Sequence, residues 1–152
     1  MKRIMTAAAV GLFCIAGAAG AQDARTPAAD IVEGRQGAMM LSGAAMGSIK
    51  AAIDAGQPIA GQRFPTRALS RWANAVPGMF PIGSGAEAGV RTNARPEIWS
   101  DRAGFEARAA DFATAADRLA ELAAGDDPAA FAAQWTVVRA SCQSCHDGYK
   151  AG

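Results

Sequence analysis

The chain has 152 residues, with 15 basic side chains against 14 acidic ones and 51% hydrophobic content. A length of this order suits one domain, and a formal net charge of +1 excludes binding to nucleic acid or an anionic membrane by charge alone. Three cysteines and one histidine leave little material for a disulfide framework or a four-ligand metal site.

Residues 1–21 read as a secretory signal peptide. Lys2 and Arg3 form its basic start, Ala7 to Ala19 an apolar run too short to span a bilayer, and Ala19-Gly20-Ala21 the cleavage site before Gln22. Cys14 sits in that run without a lipobox before it. Removal leaves 13 basic residues against 14 acidic ones and two cysteines. The expected mature unit is therefore a single domain over 22–152, exported to the periplasm, with no membrane attachment once the signal is gone.

Thr26-Pro27 predicts a capped start to a first helix that runs to Ala55 and stops at Gly56, with Pro58 beyond. Val32, Arg35, Met39, Ser42, Met46, Ile49 and Ile53 recur at steps of three and four and form its inward stripe. Gly34, Gly37, Gly43 and Gly47 each cost about 1 kcal/mol there relative to alanine, and permit close approach of a second helix or a flat ring. A second helix is predicted from Phe64-Pro65 to just before Pro77-Gly78, with Ala68, Leu69, Trp72 and Val76 inward and Arg63, Arg67 and Arg71 on a solvated face. Residues 77–96 hold three prolines, four glycines and no helical period. So long a connection can cross one end of a bundle and cover a ring edge with Met79, Phe80 and Ile82. A third helix is expected without interruption from Pro96-Glu97 to Gly125, on a heptad of Ile98, Arg102, Phe105, Ala109, Phe112, Ala116, Leu119 and Ala123. Asp127-Pro128 starts a fourth, whose seam is Phe131, Trp135, Val138, Cys142, Cys145 and Tyr149.

That seam ends in Cys142-Gln143-Ser144-Cys145-His146, the attachment signature of a c-type haem. The two thiols make thioether links to the porphyrin vinyl groups, and His146 reaches the iron from the same helical face. A thioredoxin-like redox pair would sit at a helix start after a strand, and no strand precedes Cys142. A zinc site would need a fourth ligand, and only Cys14 remains. Motif and periodicity both place the cofactor inside the bundle. The fold expected is all-α: an antiparallel up-down-up-down four-helix bundle enclosing one covalently attached haem c, its iron the only metal. Arg35, on the buried stripe, needs an anionic partner and is assigned a haem propionate; Arg91 and Arg95 are further candidates.

The chain resembles the class II c-type cytochromes, the cytochrome c′ and cytochrome c556 family, for which the four-helix bundle is a known architecture. The resemblance covers residues 27–150. It rests on Arg35-Gln36-Gly37-Ala38-Met39, on Arg95-Pro96-Glu97-Ile98-Trp99, and on Cys142 through Asp147 followed by Tyr149. In the c′ type the position four after the first-helix arginine is usually a bulky apolar residue, and the five-coordinate iron binds nitric oxide or carbon monoxide. In the low-spin c556 type it is methionine, whose sulfur takes the sixth site. Met39 stands there, so the resemblance lies closer to c556. It implies His146 and Met39 as axial ligands of a one-electron carrier, with the gas-binding c′ type as the alternative. Lys150 departs from the arginine that many relatives carry beside the proximal histidine. The partners implied are redox proteins, the haem attachment machinery and a second copy of the chain, since many relatives dimerise through the first two helices. No acid–base or nucleophilic constellation is visible, so no turnover enzyme is expected.

Overall fold

The computed structural model describes residues 26–152; the expected signal peptide and its cleavage site lie outside them. Helix α1 spans Pro27–Asp54. Thr26 Oγ1 accepts a hydrogen bond from the Ala29 amide at 3.2 Å, and Gly56 follows the helix at φ 60, which a residue without Cβ adopts at no steric cost. Helix α2 spans Arg63–Ala75, after a short 3-10 turn at Ile59–Gln62. Its inward row is Thr66, Leu69 and Ala73, continued by Val76 just past its end, all buried, with Trp72 half-buried beside them. Ala68, expected inward, is exposed. Arg63 is not merely solvated. Its guanidinium donates to the carbonyls of Ala123 and Ala124 at 3.3 and 3.2 Å, which satisfies backbone acceptors left open where a later helix ends.

The expected third helix is two pieces, α3 (Glu97–Ser100) and α4 (Arg102–Leu122). The break is at Asp101, φ −117 and ψ 56. Its carboxylate accepts from the Gly104 amide at 3.2 Å and from the Tyr149 hydroxyl at 2.8 Å. A short acidic side chain that can cap the following turn competes with helical continuation, and here a second helix holds it in that role. Helix α5 spans Pro128–Tyr149, with Asp127 Oδ1 accepting from the Ala130 amide at 2.9 Å.

These elements form an antiparallel four-helix bundle. Helices α1 and α2, α2 and α4, α4 and α5, and α5 and α1 pack as neighbours. The fully buried core runs between α2, α4 and α5, through Leu69, Phe105, Phe112, Leu119, Phe131 and Val138. The connection between α2 and α3 has few backbone hydrogen bonds of its own. Donors from the helices satisfy its carbonyls instead. Arg102 serves Pro77 and Phe80 at 2.7 and 3.0 Å, Trp99 Nε1 serves Pro81 at 3.0 Å, and Arg35 serves Met79 and Ser84 at 3.3 and 2.7 Å. Arg102, on the expected heptad, is thus a fastener of the connection and only half-buried.

A Cβ at Gly104 would stand 2.6 Å from the Tyr149 hydroxyl and closer still to Asp101 Oδ2. Replacing a helical glycine by alanine normally stabilises. Here Gly104→Ala is expected to destabilise by about 1–3 kcal/mol, the range for forcing atoms into an occupied space. Denaturant unfolding of the holoprotein measures it, and an unchanged or raised midpoint would count against the Asp101–Tyr149 contact.

Candidate haem-binding site

The C-terminal turns of α5 present Cys142, Cys145 and His146 towards α1 and α2. Cys142 and Cys145 are half-buried free thiols one turn apart. Burial pushes both thiol pKa values up, and at Cys145 the neighbouring Cys142 adds to the effect. His146 retains exposed surface, part of it facing the cavity that it lines. Burial, and then the nearby Lys150 charge, hold its imidazole below the ordinary pKa while Asp147 opposes them, which favours the neutral form with a lone pair to offer a metal.

The space in front of these residues has two lobes, of about 520 and about 270 Å³. Each is of the order of a small-molecule or cofactor site, or just below it. Met39, Val76, Cys145 and His146 line both lobes. The larger lobe lies under the α2–α3 connection, with Phe80, Thr92 and Ala94 in its wall and Arg91 at its margin. The smaller lies deeper between α1, α2 and α5, against Met46, Leu69, Trp72 and Trp135.

The register of α1 against α5 is fixed by the Trp135 indole, which donates to the Met46 carbonyl at 3.0 Å. In an antiparallel pair, two turns back from Met46 and two turns on from Trp135 move the same way along the bundle. That places Met39 level with Cys142, about one turn short of His146 on the facing helix. Met40 borders the larger lobe but not the smaller, and is 77% exposed. Met79 gives its carbonyl to Arg35 and lines neither lobe.

Arg35 is 2% exposed, so it does not reach out to solvent at the bundle end. Its terminal nitrogens are taken up by the connection: Nη1 donates to Ser84 Oγ at 2.8 Å and the Met79 carbonyl at 3.3 Å. Nη2 donates to the Ser84 carbonyl at 2.7 Å and Thr92 Oγ1 at 3.1 Å. Its guanidinium carbon lies 4.2 Å from the Phe80 ring centroid. Burial lowers its pKa while Glu87 opposes the shift. The sequence reading assigned Arg35 a haem propionate; in this structure its terminal nitrogens meet connection acceptors, and the residue also lines the larger lobe. Arg95 is paired with Glu97 at 2.9 Å and lines neither lobe. Ser84, Thr92 and Asp101 carry no periodic signal and escaped the sequence reading.

Three observations bear on whether haem c fits. Both lobes are walled mainly by apolar side chains, with paired thiols and a neutral imidazole on one side. Gly43 and Gly47 line the smaller lobe, and a Cβ at either would meet nothing within 4 Å, as a helix face beside a flat ring requires. Trp72 lends the same lobe an aromatic wall, its indole nitrogen being buried away from the cavity surface with no acceptor. The residues fit the cofactor.

The cytochrome c′ family model matches residues 30–150. Cytochrome c-556 of Agrobacterium fabrum is 35% identical over 153 aligned positions, covering 99% of this chain and 95% of its own. Cytochrome c′ of Allochromatium vinosum is 29% identical, covering 99% of both chains. The crystal structure of cytochrome c′ from Thermochromatium tepidum superposes with a TM-score of 0.77 at 28% identity, over 85% of this chain and 100% of that one. A nitric oxide complex of a cytochrome c prime variant from Alcaligenes xylosoxidans superposes at 0.74 with 28% identity, over 82% and 96%. With a bundle of this shape, an attachment pentapeptide facing its cavity and a family match spanning nearly all of the described residues, the chain belongs to the cytochrome c′ family of class II c-type cytochromes, whose members bind one covalently attached haem c.

Proposed function

We propose that this chain is a one-electron carrier, with Cys142 and Cys145 making the thioether links, His146 and Met39 taking the two axial positions, and no substrate turned over. The observation that carries this reading is the placement of Met39 and His146 in the walls of both lobes, on the facing helices α1 and α5. Haem c, when bound, supplies an iron that passes one electron between its ferrous and ferric states. The chain supplies the rest. His146 presents a neutral imidazole, and Met39 a soft, flexible thioether that reaches across the cavity without straining α1. The Trp135–Met46 hydrogen bond keeps those two helices in register. Apolar walls exclude water and favour the less charged state of the iron.

Export to the periplasm, expected from residues 1–21, places the chain among redox partner proteins and the haem attachment machinery. Among the described residues, no helix is long and apolar enough to cross a membrane. A homodimer belongs to the same proposal. One solved cytochrome c′ relative shows ligand-controlled dimer dissociation, and here Gly34, Gly37 and Leu41 lie exposed on the outer face of α1. The second reading is a five-coordinate binder of nitric oxide or carbon monoxide, favoured by the nitric oxide complex of the Alcaligenes xylosoxidans relative.

The absorption spectrum separates the two. The oxidised wild type is expected to be low-spin, with the weak sulfur-to-iron charge-transfer band. Met39→Leu is expected to lose that band, turn high-spin and bind carbon monoxide when reduced. A high-spin wild type would hand the assignment to the gas-binding reading. Attachment is tested by intact mass. Cys142→Ser and Cys145→Ser each retain haem through one link, and the double variant releases it to acidified solvent. Haem resisting extraction from the double variant would remove both cysteines from the site.

A further inference from the structure

We infer that Arg35 and Gln36 form a clamp that closes the 76–96 connection over the Met39 side of the cofactor cavity, and that this clamp sets access to the iron position facing Met39. The inference rests on the haem-binding reading, but not on ligation by Met39.

The two residues are adjacent on α1, one turn before Met39; Arg35 binds both arms of the connection and Gln36 its far arm. Arg35 takes its near half, at Met79 and Ser84, and the Thr92 hydroxyl. Gln36 Nε2 donates to the Arg91 carbonyl at 2.8 Å. Five side-chain hydrogen bonds from two neighbouring residues therefore join this turn of α1 to both arms of the connection. Between those arms the Phe80 ring lies under the Arg35 guanidinium, 5.1 Å from the Phe105 ring and 6.4 Å from the Trp99 ring. Phe80, Arg91 and Thr92 line the larger lobe together with Arg35, Gln36 and Met39. The wall above the Met39 side is thus built jointly by α1 and the connection, and the clamp is what joins them.

The guanidinium is suited to this in a way that an ammonium is not. It offers donors in a rigid planar fork, here to four acceptors at once, and a flat face to Phe80. Arg35→Lys keeps the positive charge and loses both. Without the fork, the Met79 and Ser84 carbonyls have no donor in their place, and the connection can lift from α1. That opens a path to the cavity without altering any group that touches the iron.

The test uses holoprotein in a Met39→Leu background, where the position facing Met39 holds no sulfur. Carbon monoxide association with the reduced protein is followed by flash photolysis. Arg35→Lys is expected to raise the association rate by about tenfold, the factor that losing one hydrogen bond to a charged group supports. Gln36→Leu removes the exposed half of the clamp and is expected to raise the rate in the same direction, by less. Rates equal to those of the Met39→Leu parent, with helical content unchanged, overturn the inference. If Arg35→Lys does not fold, Gln36→Leu decides it alone. The charge-transfer band of the wild type reports ligation by Met39 separately, so neither reading can fail in the other's place.

Discussion

The middle of the first helix borders an apolar gap in the bundle, and much of the structure follows from that gap. The buried cluster draws most of its large side chains from α2, α4 and α5, with Phe80 from the connection and Ile98 from α3; α1 adds Ile49, and its Met39, Met46 and Ile53 pack against the cluster half-buried. Opposite Met39 and Met46 lie two lobes where neighbouring helices would ordinarily interdigitate. Each large side chain buried in a core contributes about 1.5–3 kcal/mol, so the missing packing is worth several such residues. A porphyrin anchored at Cys142 and Cys145, as proposed, would supply that packing from the α5 side. Cofactor and core are therefore one and the same at this end of the molecule.

Where the apolar contact of α1 is interrupted by the lobes, polar groups help to position it, and α1 carries a buried arginine there. Burial strips the guanidinium of water and lowers its pKa, a cost that only several well-placed acceptors can offset. The α2–α3 connection provides them because it has acceptors in excess. Prolines at 77, 81 and 96 contribute carbonyls and no amide donors, and glycines at 83 and 89 turn the chain through positive φ, where a ladder of backbone bonds is not maintained. Buried carbonyls without donors and a buried cation without acceptors are each unfavourable; together they satisfy one another. Arg102 repeats the arrangement from α4, at the Pro77 and Phe80 carbonyls.

The sequence made the helices legible because their signals are local. Thr26 and Asp127 cap where expected, the α1 stripe buries Val32, Arg35 and Ile49, and the cysteine motif lies on the face of α5 that its seam predicts. The break at Asp101 left no trace in the pattern. Ile98 and Phe105 stay in heptad phase across it, and both are buried, so periodicity reads straight through. What marks the break is the hydroxyl of Tyr149, 48 residues away. The connection was illegible for a similar reason: its shape is dictated by donors on other elements. For Arg35, sequence shows that a charge on a buried stripe needs a partner, and a propionate is the natural candidate once a haem is inferred. Only the fold reveals that Ser84, Thr92 and the Met79 carbonyl stand within reach.

The same connection also fastens the opposite wall of the site. After leaving Arg35 and Gln36 it runs along the C-terminal end of α5. There the Arg95 amide donates to the Tyr149 carbonyl at 3.0 Å, the Ala151 amide donates to the Asn93 carbonyl at 2.8 Å, and Ala94 pairs with Lys150. Tyr149 is one turn beyond His146, and its ring meets that of Phe105 edge-on at 5.4 Å, while its hydroxyl holds Asp101. The turn that carries the imidazole and the turn that carries the thioether are thus both referenced to one short segment, from opposite sides of the cavity. A displacement of that segment shifts the two turns relative to each other. Their separation is governed jointly by the direct Trp135–Met46 contact of α5 with α1 and by a strap that grips each helix near a residue lining both lobes.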